Sequence, residues 1–317
     1  MANTGRGSLL CKRREFLVGG ATLGALGVFG IDGSAAPSAG TKRNVRFGVF
    51  TDVHYSTRDE RFRDSLKRLH WAIDDFNRSG LDFAIELGDL KDWGAKPNRT
   101  ETLGFLDTVE AEFARYKGPR YHVLGNHDMD CLSKEDFLSH TENHGDARGK
   151  PHYSFMVGGA KFVVIDACYN EDMTPYRCGK FNWQKAFVPD DELAWFEGEL
   201  KGAPGPVVVF CHQMLDGFSE ATVPEKGVFV GNWERVVDVM EKSGNVCAAI
   251  QGHHHWGYCS FRNGILYWTM KSMLMSSRSP RNSYAIMDLS PDGNVSIKCF
   301  GDCDNGRFFL SARKQNG

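Results

Sequence analysis

The chain lacks a basic field: its 317 residues carry 38 Lys and Arg against 40 Asp and Glu, a net charge of -2. Nothing global draws it to nucleic acid, and no nucleic-acid partner is expected. None of the nine cysteines forms a Cys-x-x-Cys pair, which argues against a structural zinc ribbon. Cys168 with Cys178, or Cys299 with Cys303, are spaced to pair in an oxidising compartment, whereas small buried hydrophobes is the reading that suits most of the nine. Internal repeats and low-complexity tracts are absent, and no linker interrupts the chain after residue 44. The longest uncharged stretch near the N-terminus, Phe16 to Ile31, is 16 glycine-rich residues, too short for a permanent membrane span.

That stretch has a different meaning. Lys12-Arg13-Arg14-Glu15-Phe16-Leu17-Val18 resembles a twin-arginine export signal, followed by small residues at Gly33-Ser34-Ala35. Residues 1–35 are therefore expected to be a signal peptide handled by the twin-arginine export machinery, 36–44 a linker, and 45–317 the folded domain. The protein would work outside the cytoplasm, in the periplasm or beyond. A retained amphiphilic anchor is the alternative.

From Val45 onward, apolar runs alternate with helical periodicity. Phe62, Leu66, Leu69, Ile73 and Phe76 recur at steps of four and three, one face of a helix that Ser79-Gly80 stops. Further helices are expected over Thr102–Tyr116, from Ser133, over Asp190–Leu200 and over Trp233–Lys242. Gly158-Gly159 between two short apolar runs signals a hairpin. The tail after Tyr258 reads as strands joined by tight turns. A βαβα half followed by a β-rich half suggests two packed sheets flanked by helices, an α/β protein.

Five apolar runs end in metal-type ligands. They deliver Asp52 and His54, then Asp89, then Asn126 and His127, then His212, and finally His253 and His255. Strand ends opening into loops are where α/β proteins place their chemistry. On an extended backbone, Asp52 and His54 would point the same way, as would His253 and His255, with His254 facing away. Imidazole mixed with oxygen ligands suits two divalent or trivalent ions such as Mn, Fe, Zn or Co. Each piece alone has a bland explanation, such as a solvated loop or a turn; the ordered set of five does not.

In that order, Asp-x-His, Gly-Asp, Gly-Asn-His-Asp, His and Gly-His-x-His, the motifs resemble those of the calcineurin-like metallophosphoesterase superfamily over residues 45 to about 300. The resemblance implies a four-layer α-β-β-α sandwich with a dinuclear metal centre at the strand ends. It implies that Asp52, His54, Asp89 and His255 hold one ion, and that Asp89, Asn126, His212 and His253 hold the other. His127 would face the substrate, oriented by Asp128. A hydroxide bridging the ions would attack phosphorus, with His127 assisting the leaving oxygen.

A narrower likeness, carried by Phe47-Gly48-Val49 with Tyr55, by Arg63-Asp64-Ser65-Leu66 running to Asp75-Phe76-Asn77, and by Val164-Ile165-Asp166-Ala167-Cys168-Tyr169, is to the ADP-ribose/CDP-alcohol diphosphatases. It implies a small nucleotide-like diphosphate or diester as substrate. Two departures stand out. Cys211-His212-Gln213-Met214-Leu215 lacks the family's glycine and proline around the histidine. Leu90-Lys91-Asp92 offers no tyrosine after Gly88-Asp89, which excludes the purple acid phosphatase subclass. The alternatives are an exported, broad-specificity phosphomonoesterase and a non-catalytic scaffold, which predicts eroded ligands. The irregular segments 168–189 and 213–232 are the expected seat of substrate choice, with Tyr169, Tyr176, Phe181 and Trp183 available either for stacking or for self-packing.

Overall fold

The computed structural model describes residues 42–276, 282–303 and the backbone of 308–310, and among these it has twelve strands and five α-helices from Val45 onward. The expected signal peptide lies outside the described residues. At the inner end of the expected linker the chain is already tied down: Arg43 Nη2 pairs with Asp82 Oδ1 at 2.6 Å, and its backbone N–H donates to the Gly158 carbonyl at 3.1 Å.

The first sheet begins with β1 (Val45–Phe50), β2 (Phe83–Glu86) and β3 (Arg120–His122), which run parallel. It is completed by β10 (Ser283–Leu289), β11 (Val295–Gly301) and β12 (Phe308–Leu310), in the order β12-β11-β10-β1-β2-β3. The second contains β4 (Tyr153–Val157), β5 (Ala160–Val164), β6 (Val207–Cys211), β7 (Val246–Gln251), β8 (Tyr258–Arg262) and β9 (Ile265–Thr269). Its order is β4-β5-β6-β7-β9-β8, with β5, β6, β7 and β9 parallel.

Strand alternation decides which layer each side chain enters. Phe47 and Phe83 leave the first sheet inward and meet Phe162 and Phe210 of the second, with ring centroids 4.9 to 6.2 Å apart. Such offset and edge-on pairs add about 0.5–1.5 kcal/mol each beyond the area they bury. Phe50 leaves β1 on the other face and packs on Phe76 of α1 (Glu60–Arg78) and Phe113 of α2 (Arg99–Phe113). Val163, Val207 and Val209 likewise leave the second sheet outward, against α4 (Asp190–Lys201) and α5 (Trp233–Ser243). The four layers are thus helix, sheet, sheet, helix. The short α3 (Lys134–His140) starts with a reciprocal capping box between Ser133 and Asp136.

α1 shows how the sequence sets these lengths. Asp59 caps it by accepting from the N–H groups of Arg61 and Phe62, worth about 1 kcal/mol. Phe62, Leu69, Ile73 and Phe76 form its buried stripe, and Gly80, at φ +62°, turns the chain into β2. Among the described residues no helix is long and apolar enough to cross a membrane. Cys168 directs its thiol to the Leu124 carbonyl, 3.4 Å away, and not to Cys178, which is exposed.

Candidate metal centre

The parallel strands β1, β2, β3, β6 and β7 all release their chains at one edge of the sandwich, and the polar residues that follow them meet there. The carboxylates and imidazoles of Asp52, His54, Asp89 and His255 lie within 4.8 Å of one another, and so do those of Asp89, His212 and His253. Asp89 belongs to both groups. His255 Nε2 stands 3.2 Å from Asp52 Oδ1, His54 Nε2 3.6 Å from Asp89 Oδ2, and His212 Nε2 3.2 Å from that same Asp89 oxygen.

These side chains do not converge by extended-strand alternation, as the spacing suggests. Asp52, His54, Asp89 and His253 have φ of +53°, +50°, +56° and +66°, in the left-handed region. Each turns its side chain inward by a local kink. The kinks are held by backbone bonds, from Asp52 N–H to the Gly88 carbonyl (3.1 Å) and from His54 N–H to the Asp89 carbonyl (2.9 Å). His254 does face away, with Nδ1 2.7 Å from Glu225 Oε2. Gly125 is required by close approach, since a Cβ there would collide with the backbone nitrogen and Oδ1 of Asp89.

The inward-facing atoms are poised to bind cations. Asp52 Oδ2 accepts from Thr51 Oγ1 (2.7 Å) and His253 N–H (3.2 Å), which leaves Oδ1 without a hydrogen bond. His212 Nδ1 is fixed on the Leu87 carbonyl at 2.7 Å, so Nε2 faces the cluster. Asn126 Oδ1, His212 Nε2 and His253 Nε2 are likewise buried without a hydrogen-bond partner. Orphaned buried donors and acceptors are costly, and here they gather in one place. The donor set of carboxylate, amide oxygen and imidazole fits two divalent or trivalent ions.

Electrostatics carry the same signature. Burial opposes charge on His54 and His212, but the neighbouring carboxylates outweigh it and push both up to about 9. Burial also works against ionised Asp52, yet His255 and His54 hold it well below the usual carboxylate range. His253 goes the other way, down to about 3, because burial and the charge on His212 act together.

His127 lies beside the cluster and not in the two groups that share Asp89. Its backbone N–H donates to Asp89 Oδ1 at 2.7 Å, while its ring is edge-on to His54 with centroids 4.7 Å apart. The expected partner, Asp128, does not orient it. The Asp128 carboxylate instead accepts the backbone N–H groups of Gly125 (2.8 Å), Asp89 (2.9 Å) and Leu90 (3.0 Å), clamping the loops after β2 and β3 together. Residues 127–129 form a 3₁₀ turn, which swings Asp128 off the His127 side and brings Asp130, three residues on, round to it. His127 Nδ1 therefore faces Asp92 Oδ1 at 3.6 Å and Asp130 Oδ2 at 3.8 Å. Burial disfavours its charge, but Asp89, Asp130 and Asp92 together hold it protonated well above the ordinary histidine range. Buried Lys91 ties the turn together by donating to the His127 carbonyl and to Asp130.

Residues 45–257 match the family described as calcineurin-like phosphoesterase. The chain belongs to that family. It is a metal-dependent hydrolase of phosphoester bonds with a dinuclear site. The chain is 24% identical over 75% of its length to an Arabidopsis thaliana protein named manganese-dependent ADP-ribose/CDP-alcohol diphosphatase, covering 88% of that protein. A rice protein (Oryza sativa subsp. japonica) of the same name is 31% identical over 72% of this chain and 83% of its own. Among solved structures, a dimetal phosphatase from Danio rerio superposes with TM-score 0.70 at 19% identity, over 85% of this chain and 99% of its own. A purple acid phosphatase from yellow lupin (Lupinus luteus) shares the fold at TM-score 0.57 and 14% identity, over 87% of this chain and 54% of its own.

Sequence reasoning misses Asp92, Asp130, Lys91 and Arg58, all around His127. The one available signal is Asp92 itself, an acidic residue three positions after Asp89. Of the four loop aromatics, Tyr176 is fully buried with its hydroxyl on the Asn182 carbonyl, Phe181 packs on it, and Tyr169 lies under Lys134. Trp183 alone looks onto the centre, edge-on to His253 with centroids 6.0 Å apart and 39% exposed.

Proposed function

We propose that this phosphoesterase cleaves the diphosphate linkage of a small nucleotide-like molecule, and that it holds two ions to do so. Asp52, His54, Asp89 and His255 would bind one and Asp89, Asn126, His212 and His253 the other, with Asp89 shared. The observation that carries the reading is the set of buried, unpartnered side-chain atoms converging on that shared carboxylate, with the His127 ring beside it. The plant relatives' names, and Trp183 at the mouth of the site, favour a nucleotide-like substrate.

When bound, such ions neutralise phosphoryl oxygens and acidify a water that then serves as the nucleophile. The protein's own groups do the rest. His127 is a third exposed, and its Nδ1 lies 3.6 Å from Asp92 and 3.8 Å from Asp130, so the ring would be placed to donate a proton from Nε2 to the departing oxygen. The charges of Asp89, Asp130 and Asp92 would favour a proton on that ring. Trp183 covers the His253 side and offers a face for a base.

The test is metal content of the purified protein together with product release from ADP-ribose, CDP-alcohols and p-nitrophenyl phosphate. About two ions per chain and preference for the diphosphates are expected. His127→Ala should keep the metal and lose about 10²–10⁴-fold in kcat. Equal or faster turnover of the phosphomonoester would favour a broad phosphomonoesterase instead. Export is part of the same proposal and rests on Arg13-Arg14 before Phe16-Leu17. Replacing both arginines with lysine should strand the enzyme in the cytoplasm; undiminished export would sink that part.

A further inference from the structure

One cation at the rim of the centre has no part in the chemistry described so far. Arg58 lies between β1 and α1, and its Nη2 donates to Asp92 Oδ1 at 2.7 Å. That oxygen is the one facing His127 Nδ1, while the other Asp92 oxygen is 3.5 Å from His54 Nδ1. A single buried carboxylate thus seats the guanidinium next to the imidazole that faces substrate. Asp92 cannot swing away, because its Oδ1 also accepts the Trp93 N–H at 2.7 Å.

The rest of the guanidinium is held but not used. Arg58 Cζ lies 4.8 Å from the Phe62 ring centroid and 5.8 Å from that of Trp93, so aromatic rings confine its faces. A guanidinium carries five N–H donors. Among the described residues, the bond to Asp92 is the one hydrogen bond this side chain makes, and a third of it is exposed. The free N–H edge is therefore preorganised and open to solvent.

We propose that Arg58 grips the second phosphate of a diphosphate substrate and so sets the preference for phosphoanhydrides over simple esters; this rests on the diphosphatase reading above. A planar fork of N–H donors matches two phosphate oxygens at once. With the reacting phosphate at Asp89 and its neighbours, a second phosphate lying toward His127 would come within reach of Arg58, which Asp92 seats beside that ring. The base would then lie on the His253 side, near Trp183. Monoesters and aryl diesters have no second phosphate to offer and gain little from the contact.

The experiment compares wild type, Arg58→Gln and Arg58→Lys as full chains loaded with manganese. It reads kcat and KM for ADP-ribose and for bis-p-nitrophenyl phosphate, calorimetric affinity for methylenediphosphonate and for methylphosphonate, and metal per chain. In Arg58→Gln, KM for ADP-ribose should rise about tenfold or more, the scale of a lost charge-assisted bond. The aryl diester should suffer by a smaller factor, and methylenediphosphonate should lose more affinity than methylphosphonate. Arg58→Lys, which keeps the charge without the fork, should fall between, and it carries the comparison if the glutamine variant loses metal. Equal losses on both substrates, with both phosphonates affected alike, would overturn the proposal and make Arg58 a support for Asp92. A wild type that turns over the diester but not ADP-ribose would overturn the diphosphatase reading instead, and the paired phosphonates would still decide Arg58.

Discussion

Asp92 Oδ1 stands 3.6 Å from His127 Nδ1, while Asp128, the carboxylate next to His127 in the chain, turns its oxygens onto backbone N–H groups. The two aspartates therefore have separable duties. Asp92→Asn keeps the shape but removes the charge that favours a protonated His127. We expect kcat to fall by about 10²-fold, at the low end of general acid catalysis, with bound metal and thermal midpoint close to wild type. Steady-state kinetics beside elemental analysis checks this; full activity would separate Asp92 from the chemistry.

Asp128→Ala should do the reverse. It strips an acceptor from three buried N–H groups on the loops after β2 and β3. At about 1 kcal/mol for each lost bond, the protein should lose about 3 kcal/mol and bind metal more weakly. A urea midpoint unchanged from wild type would show that water replaces the carboxylate.

Metal loading should release protons. His54 and His212 are each pushed up to about 9 by the carboxylates around them, whereas His253 is already neutral, down to about 3. An ion must displace the proton from each of the first two rings. At pH 7 about two protons per chain should therefore leave on loading, and apparent metal affinity should climb with pH until about 9 and then level off. Calorimetry in buffers of different ionisation enthalpy counts the protons directly. A count near zero would place the charge elsewhere.

Much of this centre is legible in the order of the residues alone. Gly88, Gly125 and Gly252 each precede an inward-facing polar residue at the end of an apolar run, and such runs make strands with few alternatives. What the sequence hides is rotation. Reading Asp52 and His54 as an extended pair brings together residues that do meet, but by the wrong geometry, because nothing in Asp-Val-His announces two left-handed backbones. Asp128 misleads for a related reason: adjacency in sequence means proximity only once the turn is known, and in a 3₁₀ turn the third residue on, Asp130, shares a side with His127. Arg58 stays invisible because its role depends on Asp92, Phe62 and Trp93, which meet it only in the folded chain.

Six non-glycine residues among those described have positive φ, and four are Asp52, His54, Asp89 and His253. Each such backbone costs on the order of 1–3 kcal/mol in a side-chain-bearing residue. Glycine would relax any of the four while deleting a side chain of the cluster. Screens that reward heat resistance alone would thus accumulate changes here first, yielding hardier proteins with a dismantled centre. Conversely, a homologue that keeps aspartate and histidine at these four positions has been kept from drifting toward its own most comfortable backbone, and that resistance is a signature of working chemistry that can be sought in other chains of this fold.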